Sequence, residues 1–480
     1  MQQSTPERDV LDLAVIGAGA AGTYVARAMK VAQPEWSISL FERTDRIGGR
    51  VWSVQVPGVA HRIELGGMRF MTTHPHVRGV VEELGIVTHS FDRPDGSDRS
   101  FLRGRFGGGL PDPEAGAGYD LAPTERGRSA EGLKDWALER ILPGHDDLDA
   151  AGWKRARATH EHLGRPLTDR SIDEAFKTVL SEDAAEFVIE SLGFDSGPRI
   201  LNAGDGVQFF SGGEPGAAEA LTPDEGMDRI PKSLAADFET RGGTIHRDSE
   251  LRALSVEAGV VRLELAGGQG VMARRVVLAT AIPALRMIAA ASRPLQSPAF
   301  EEVLAAVEGF PATKLYVWYD RPWWLGEVSS ARTVTDLPPR KVFYFDEVPD
   351  GPAVLLGSYA DARTSSYWTE LADGASNGAP ATPRMLAALD GFLHELHPSL
   401  ADIPAPLGSA FMHWGSDPHE IAWTLWLPGA VSDEVMAIAP QPDPSLPIYL
   451  AGESFSRSQM WVEGALETGA EVVRRLLAAR

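Results

Sequence analysis

Apolar residues run through this chain in two alternating rhythms, short continuous runs and runs spaced by three or four. Leu13 to Ile16 is a continuous apolar run, the pattern of a strand buried on both faces. A helix-forming stretch follows, and then a second apolar run from Ser37 to Phe41. Residues 61–70 (HRIELGGMRF) predict a strand running into a glycine pair. Residues 95–130, rich in Gly, Pro, Asp and Arg, predict loops around one short strand, Ser100 to Phe106. Between 130 and 200, WALERIL, WKRARATHEHL, IDEAFKTVL and AAEFVIESLGF space their apolar residues as helices do. GMDRIPKSLAADF (226–238) predicts a loop and helix, 242–268 a β-meander, and RRVVLATAIPAL (274–285) a buried strand ending at Ala279-Thr280. Strands are predicted at Thr313 to Tyr319, which alternates, at 353–359 and at 446–453, and a closing helix from Val462. No internal repeat is visible.

The first apolar run enters Gly17, Gly19 and Gly22, and the second ends at Glu42. Strand, glycine turn, helix, strand and carboxylate in that order make a βαβ dinucleotide-binding unit. Gly17 permits the tight turn, Gly19 lets backbone approach a pyrophosphate, and Gly22 lets helix pack against strand. The helix N-terminus beside Ala21 favours the anion. Glu42 suits ribose hydroxyls and argues against a 2′-phosphate, hence against NADP. Beyond it come Arg43 and then Gly48-Gly49-Arg50. A second close backbone approach and a phosphate-neutralising arginine fit the longer FAD better than NAD.

The chain has 480 residues, more than one ordinary domain, so two are expected. A nucleotide unit opens it and a strand–Gly-Glu–helix pattern closes it. The expected fold is therefore α/β, with a Rossmann-like FAD-binding domain built from both chain ends (9–95, 226–300 and 436–480). An α+β substrate domain is inserted (96–225 and 301–435), with a helical region at about 130–200.

A net charge of −22 argues against non-specific nucleic-acid binding and against an anionic membrane surface. There is no cysteine, which excludes disulfides, thiolate metal sites and a thioether-linked flavin, so FAD is expected to be non-covalent. The twelve histidines show no metal-ligand spacing; His74-Pro75-His76 suits capping better. No leader pattern and no run of 18 apolar residues are seen, and a cytoplasmic location is the default. A homodimer is left open.

ELGGMRF, EGMDRIPKSLA, VVLATAIPAL, TKLYVWYDRPWW and AGESFSRSQMWVEGALETG, with the opening fingerprint, resemble the blocks of the flavin-dependent amine oxidase superfamily, in order and over nearly the whole length. Within it the chain is most similar in pattern to bacterial L-amino-acid oxidases. The resemblance implies extended FAD with its ring facing a cavity between two domains. It implies that Glu42 holds the adenosine ribose, and that Leu251 meets adenine through backbone groups. Arg50 and Gly66, Gly67, Met68 and Arg69 would line diphosphate and flavin. Gly452 and Glu453 would hold the ribityl and phosphate end, with Trp461, Val462 and Glu463 under the ring. A helix N-terminus near Val462 would favour negative charge on reduced flavin.

For the substrate, the resemblance implies that Arg69 binds a carboxylate; a structural pairing with Glu64 or contact with flavin phosphate are its alternatives. Tyr359 would touch the same carboxylate, or Ser358 if the match slips by one. Lys314 would hold a water against flavin N5; the alternative is a solvent-facing strand lysine. Trp461 would form one wall of the slot, and Trp414 and Trp426 lie in a nearby block without an assigned role. The carbonyl of Met460 would receive the amino group, although the family usually has glycine there. Phe209 and Phe210, with Trp461, suggest an aromatic or large apolar side chain.

The implied reaction is oxidation of the C–N bond of an L-amino acid by hydride transfer to flavin N5, reoxidation by O2 to hydrogen peroxide, and imine hydrolysis to a keto acid. Alternatives are an amino-acid 2-monooxygenase giving an amide, an amine oxidase or cyclase for a larger biosynthetic intermediate, and a non-catalytic flavoprotein. Carotenoid-type desaturases share the fingerprint and fit the later blocks less well.

Overall fold

The computed structural model describes residues 10–91, 98–211, 218–326, 328, 331–345, 351–375 and 377–479. The leader reading of the first residues falls at 1–9, and part of the GVQFFSGGEP stretch at 212–215; both lie outside the described residues.

Leu13–Ile16 and Ile38–Phe41 pair in parallel, as the βαβ reading requires, with the helix Ala20–Ala32 between them. They form the centre of a five-stranded parallel sheet. In spatial order its strands are Thr244–His246, Ile38–Phe41, Leu13–Ile16, Val276–Leu278 and Ile448–Leu450. Three of the last four are continuous apolar runs, buried throughout, because helices cover one face and a β-meander with a further helix covers the other. Residues from 13 to 450 meet in this one sheet, so the two chain ends do build one nucleotide-binding layer. Thr244–His246 corrects the sequence reading. It is an edge strand of the parallel sheet, and the meander begins only at Leu251, with strands Leu251–Glu257, Val260–Leu265 and Gly270–Ala273.

A seven-stranded mixed sheet stands opposite. Its order is Gly408–Trp414, Ala312–Tyr319, Ala353–Asp361, Lys341–Phe345, Arg332–Thr335, Asp98–Leu102 and Arg105–Gly107. The strand expected at Ser100 to Phe106 is split into a hairpin, because Arg103 and Gly104 adopt φ +46° and +73°. Two successive left-handed residues make the tight turn that suits a hairpin's twist. Thr313 to Tyr319 lies in a strand buried on both faces rather than alternating, since it is central and covered on each side.

The helical region is present at Ala130–Ile141, Ala150–Thr159, Ile172–Phe176, Glu182–Leu192, Ser196–Ile200 and Ala203–Ser211. Ser129, Asp149, Ser171 and Ser181 cap four of these helices through their side chains. The WKRARATHEHL helix stops at Thr159; Glu161–His162 turns back through Leu163 and Gly164 to pair with Arg165–Pro166. Ala220–Pro223 pairs with Phe70–Met71 and Thr88–Ser90, so this small sheet crosses the boundary expected at 226. No helix among the described residues is long and apolar enough to cross a membrane.

A candidate flavin and substrate cavity

One continuous cavity of about 910 Å3 runs from the fingerprint loop to the seven-stranded sheet. Its nucleotide end is lined by Gly17, Gly19, Ala21, Glu42, Arg43, Gly49, Arg50 and Leu251. Gly66, Gly67, Met68, Arg69, Gly452, Glu453, Trp461 and Val462 line it further along, and Lys314, Tyr359, Phe209 and Met460 complete the predicted set. Of the predicted cofactor residues, Glu463 is off the lining, and Gly22 stands behind it. A Cβ there would sit 1.8 Å from the Gly17 carbonyl oxygen, so its glycine serves helix packing and not contact.

The nucleotide end fits a dinucleotide on its own geometry. Gly17 has φ +100°, and a Cβ would lie 2.5 Å from the Ala279 carbonyl oxygen. Gly48 donates to the Ala18 carbonyl at 3.0 Å and bridges Gly19, so the second glycine pair is fastened onto the fingerprint loop. Arg46 holds that pair from behind, donating to the carbonyls of Gly49 (2.6 Å) and Val51 (3.0 Å). The Glu42 carboxylate is fixed before any ligand arrives. Oε2 accepts from Ala18 N at 2.8 Å, and Oε1 accepts from the Thr44 amide and hydroxyl at 2.9 Å. Each oxygen keeps acceptor capacity for a ribose hydroxyl. The buried Thr280 hydroxyl, also on the wall, has no partner among the described residues and can bond a ligand.

Arg43 and Arg50 differ in what they can do. Arg43 is held by Asp417 (2.9 Å) and Glu420 (3.1 Å). Arg50 donates to Glu453 at 2.6 Å, and Glu453 also accepts from Thr424 Oγ1 (2.8 Å) and Met460 N (3.1 Å). Glu453 thus acts by orienting Arg50 from 403 residues away. The 17-residue helix Val462–Ala478 points its N-terminus at the cavity, with Trp461 as an N-cap that makes no side-chain cap. Glu463, expected under the flavin ring, instead turns to another helix. Its carboxylate accepts from the His76 and Val77 amides at the start of Pro75–Glu83 (3.0 and 2.9 Å).

At the far end, Lys314 is fully enclosed, which excludes the solvent-facing reading. Its Nζ donates to the carbonyls of Glu64 (2.9 Å) and Gly66 (2.6 Å) and lies 3.4 Å from Met68 Sδ. Burial lowers Lys314 to about 7 and raises the nearby Glu64 to about 7, each partly opposed by the other's charge. Tyr316 OH and Trp414 Nε1 take the carbonyls of Glu64 and Leu65 (3.0 and 2.8 Å). Trp414 is therefore on the wall with a defined partner, whereas Trp426 is off the wall and donates to Ser456 O.

Tyr359 pairs with Lys314 on the neighbouring strand, and Lys314 Nζ lies 4.6 Å from its ring centre. Ser358, the alternative, turns away and donates to Pro339 O. Arg69 is within electrostatic reach of Lys314, Tyr359 and Lys341, shifting all three. Glu64 accepts instead from Ser53 Oγ and Met227 N, which leaves the Arg69–Glu64 pairing without support. Met460 adopts φ +71°, a left-handed conformation costing a side-chain-bearing residue about 1–2 kcal/mol. The glycine usual in the family would bear it without strain.

Among the wall residues not singled out in the sequence are Phe194, Trp423 and Lys341. Phe194 stands edge-on to Tyr359 at 5.0 Å and to Trp423 at 5.8 Å. Trp423 is anchored by its Nε1 to Ser196 Oγ at 3.0 Å. The WTLW run did carry an aromatic signal, but nothing local marks which tryptophan faces the cavity.

Similarity to known proteins agrees with this geometry. The pattern of the family described as flavin containing amine oxidoreductase matches residues 20–477. The chain is 28% identical to Aplysianin-A of Aplysia kurodai, covering 97% of this chain and 90% of that protein. It is 28% identical to Achacin of Lissachatina fulica (95% and 91%) and 26% identical to an L-amino-acid oxidase of Mus musculus (96% and 70%). In fold it is similar to a solved putrescine oxidase double mutant, with a TM-score of 0.75 at 16% identity over 98% and 99% of the two chains. With one continuous cavity reaching from its dinucleotide loop and a family match over nearly its whole length, this chain belongs to the flavin-containing amine oxidoreductases, and its cofactor is FAD.

Proposed function

We propose that the protein oxidises the C–N bond of an L-amino acid to an imine that water hydrolyses to a keto acid and ammonia. Bound FAD supplies the two-electron acceptor, and O2 restores it with formation of hydrogen peroxide. The observation that carries the reading is Arg69 on the wall beside Tyr359 and Lys314. A guanidinium there suits a carboxylate, through two parallel hydrogen bonds in a site largely shielded from water. The similarity to the mouse L-amino-acid oxidase supports the same substrate class.

The remaining roles follow from the residues. Lys314 directs two donors to carbonyls and its third to the weak acceptor Met68 Sδ, which a water at the reacting end would have to displace. Tyr359 and Trp461 confine the substrate, and Met460 lies on the same wall, where its carbonyl would receive the amino group. Phe209 keeps 46% of its surface exposed, a weak basis for a buried aromatic slot. The proposal therefore extends to the α-amino acid and not to an aromatic side chain.

The test is peroxide release by the holoenzyme over the twenty L-amino acids, with mass spectrometry of the product. A keto acid is expected; an amide product would assign the monooxygenase reaction instead. Arg69→Met should raise KM for the best amino acid about 100-fold, with less than about threefold change for the matching carboxylate-free amine. Equal losses on both substrates would overturn the carboxylate role.

A further inference from the structure

Lys341 stands in one row with the two residues assigned to the reacting end. Lys314 and Lys341 flank Tyr359 on the strands to either side of it. Neighbouring strands lie about 4.8 Å apart, which puts the two lysine Cα atoms roughly 10 Å apart. All three side chains reach the cavity wall.

The position of Lys341 is built, not incidental. Helix Glu182–Leu192 ends at Gly193 with φ +73°. A Cβ on Gly193 would lie 2.5 Å from Lys341 Cε and 3.0 Å from its Cγ. A glycine is thus needed there for the backbone, and its bare surface lets the lysine stem pass. The amine then rests 3.8 Å from the centre of the Phe194 ring.

Among the described residues no anion is paired with this lysine, and its Nζ makes no hydrogen bond. The two carboxylates within electrostatic reach are already committed. Asp98 is paired with Arg332 at 2.6 Å, and Asp361 accepts from the Asp195 amide and from the amide and hydroxyl of Ser196. Burial, reinforced by the positive charges of Arg332 and Arg69, pushes Lys341 well below the ordinary lysine value. The carboxylates lining the described part of the cavity are Glu42, Glu250, Glu420 and Glu453, two on the fingerprint and ribityl segments and two beside His419 and the Leu251 strand. The substrate end carries Arg69, Lys314, Lys341 and, paired with Asp135, Lys134.

We propose that Lys341 anchors a second carboxylate, so that the site takes L-amino acids with an acidic side chain. This rests on the reading of the site as an L-amino-acid oxidase. The α-carboxylate goes to Arg69 and Tyr359, and the side-chain carboxylate goes one strand further, to Lys341. The aromatic rings of Phe194 and Trp423 hold the methylene stem and keep water from the pair. The same wall disfavours diamines and basic amino acids, whose second cation would meet Lys341.

The experiment compares L-glutamate with its uncharged isostere L-glutamine on the holoenzyme, for wild type, Lys341→Met and Lys341→Arg. Methionine keeps the stem that crosses Gly193 and removes only the charge. Wild type should favour glutamate by at least about tenfold in kcat/KM. Lys341→Met should lose about 30-fold on glutamate, through KM, and less than about twofold on glutamine; Lys341→Arg should retain most of the preference. A wild type indifferent between the two, or equal losses on both in Lys341→Met, overturns the proposal and assigns Lys341 to the α-carboxylate or to structure. A flavin-absorbance titration with the unreactive diacid glutarate against butyrate reads the same anchor without turnover. Glutarate must bind more tightly, and lose that advantage in Lys341→Met, or the proposal fails. If glutarate behaves so while no amino acid is oxidised, the amino-acid oxidase reading fails and the anion site stands.

Discussion

Gly66 and Gly67 are adjacent, yet the structure demands opposite outcomes when each is changed to alanine. Neither has a left-handed φ, so the difference is one of space alone. A Cβ on Gly66 would lie 2.0 Å from the Arg50 carbonyl oxygen and 3.1 Å from Val51 Cα, both backbone atoms that no rotamer change can move. On Gly67 the Cβ would meet only Val51 Cγ1, at 3.2 Å. Restoring ordinary contact at Gly66 requires the two segments to part by about 1.4 Å, a strain of roughly 1–3 kcal/mol. That movement lengthens the Gly67 N to Arg50 O bond from 3.0 Å and disturbs the 2.6 Å bond from Lys314 to Gly66 O, adding about 1 kcal/mol. Gly66→Ala should therefore cost about 2–4 kcal/mol, measured as the denaturant midpoint of flavin-free protein. It should also weaken FAD at least about tenfold by fluorescence titration, because the same loop lines the cavity. Gly67→Ala should stay within about 0.5 kcal/mol of wild type. Equal behaviour of the two variants would refute the close-approach argument.

Glu453→Gln should weaken FAD binding and cost about 2–4 kcal/mol, since an amide nitrogen must then face Arg50 or the Met460 N–H, a donor against a donor; flavin retention on dialysis reads it, and full retention would sink the orienting role. The Lys314–Glu64 pair predicts a pH profile of stability. Lys314 falls from 10.5 to about 7, so between those values the unfolded chain holds a proton the folded chain has released, and stability rises with pH. Glu64 rises from 4.5 to about 7, so the folded chain holds the extra proton there, and stability falls as pH climbs towards 7. Lys314→Met should abolish the rise above pH 7 in urea midpoints of flavin-free protein; an unchanged slope would mean another group causes it.

The nucleotide half of the site was legible because its requirements are local. Gly17, Gly19 and Glu42 lie on one strand–turn–helix–strand unit, and backbone geometry dictates their types at their spacing. The helix pattern of 130–200 was legible from periodicity, but its interruption at Thr159 was not, since Leu163-Gly164 reads as helix-compatible until its left-handed turn is seen. Thr244–His246 was assigned to the meander because proximity in sequence favours hairpins, whereas its partner is Ile38–Phe41. Lys341 was invisible for a related reason. Nothing around KVFYF marks a functional lysine. Its significance arises only when cross-strand register sets it beside Tyr359 and a helix ends in glycine 148 residues earlier to let it through.

The segment 64–69 shows how the two halves become one site. Its carbonyls at Glu64, Leu65 and Gly66 are taken by Lys314, Tyr316 and Trp414, all from two adjacent strands of the seven-stranded sheet. Its amides at Leu65 and Gly67 donate the other way, to Trp52 O and Arg50 O on the nucleotide side. Buried backbone polar groups left unpaired cost as much as lost hydrogen bonds, so the segment cannot shift towards either layer without breaking bonds to the other. Met68 and Arg69 follow directly in the chain, so the position of the substrate-end guanidinium is set by Lys314, and that of Lys314 by the loop bearing Arg69. The lysine is therefore a structural strut as well as a candidate water holder, and its removal has to be judged by Arg69-dependent substrate affinity as well as by rate.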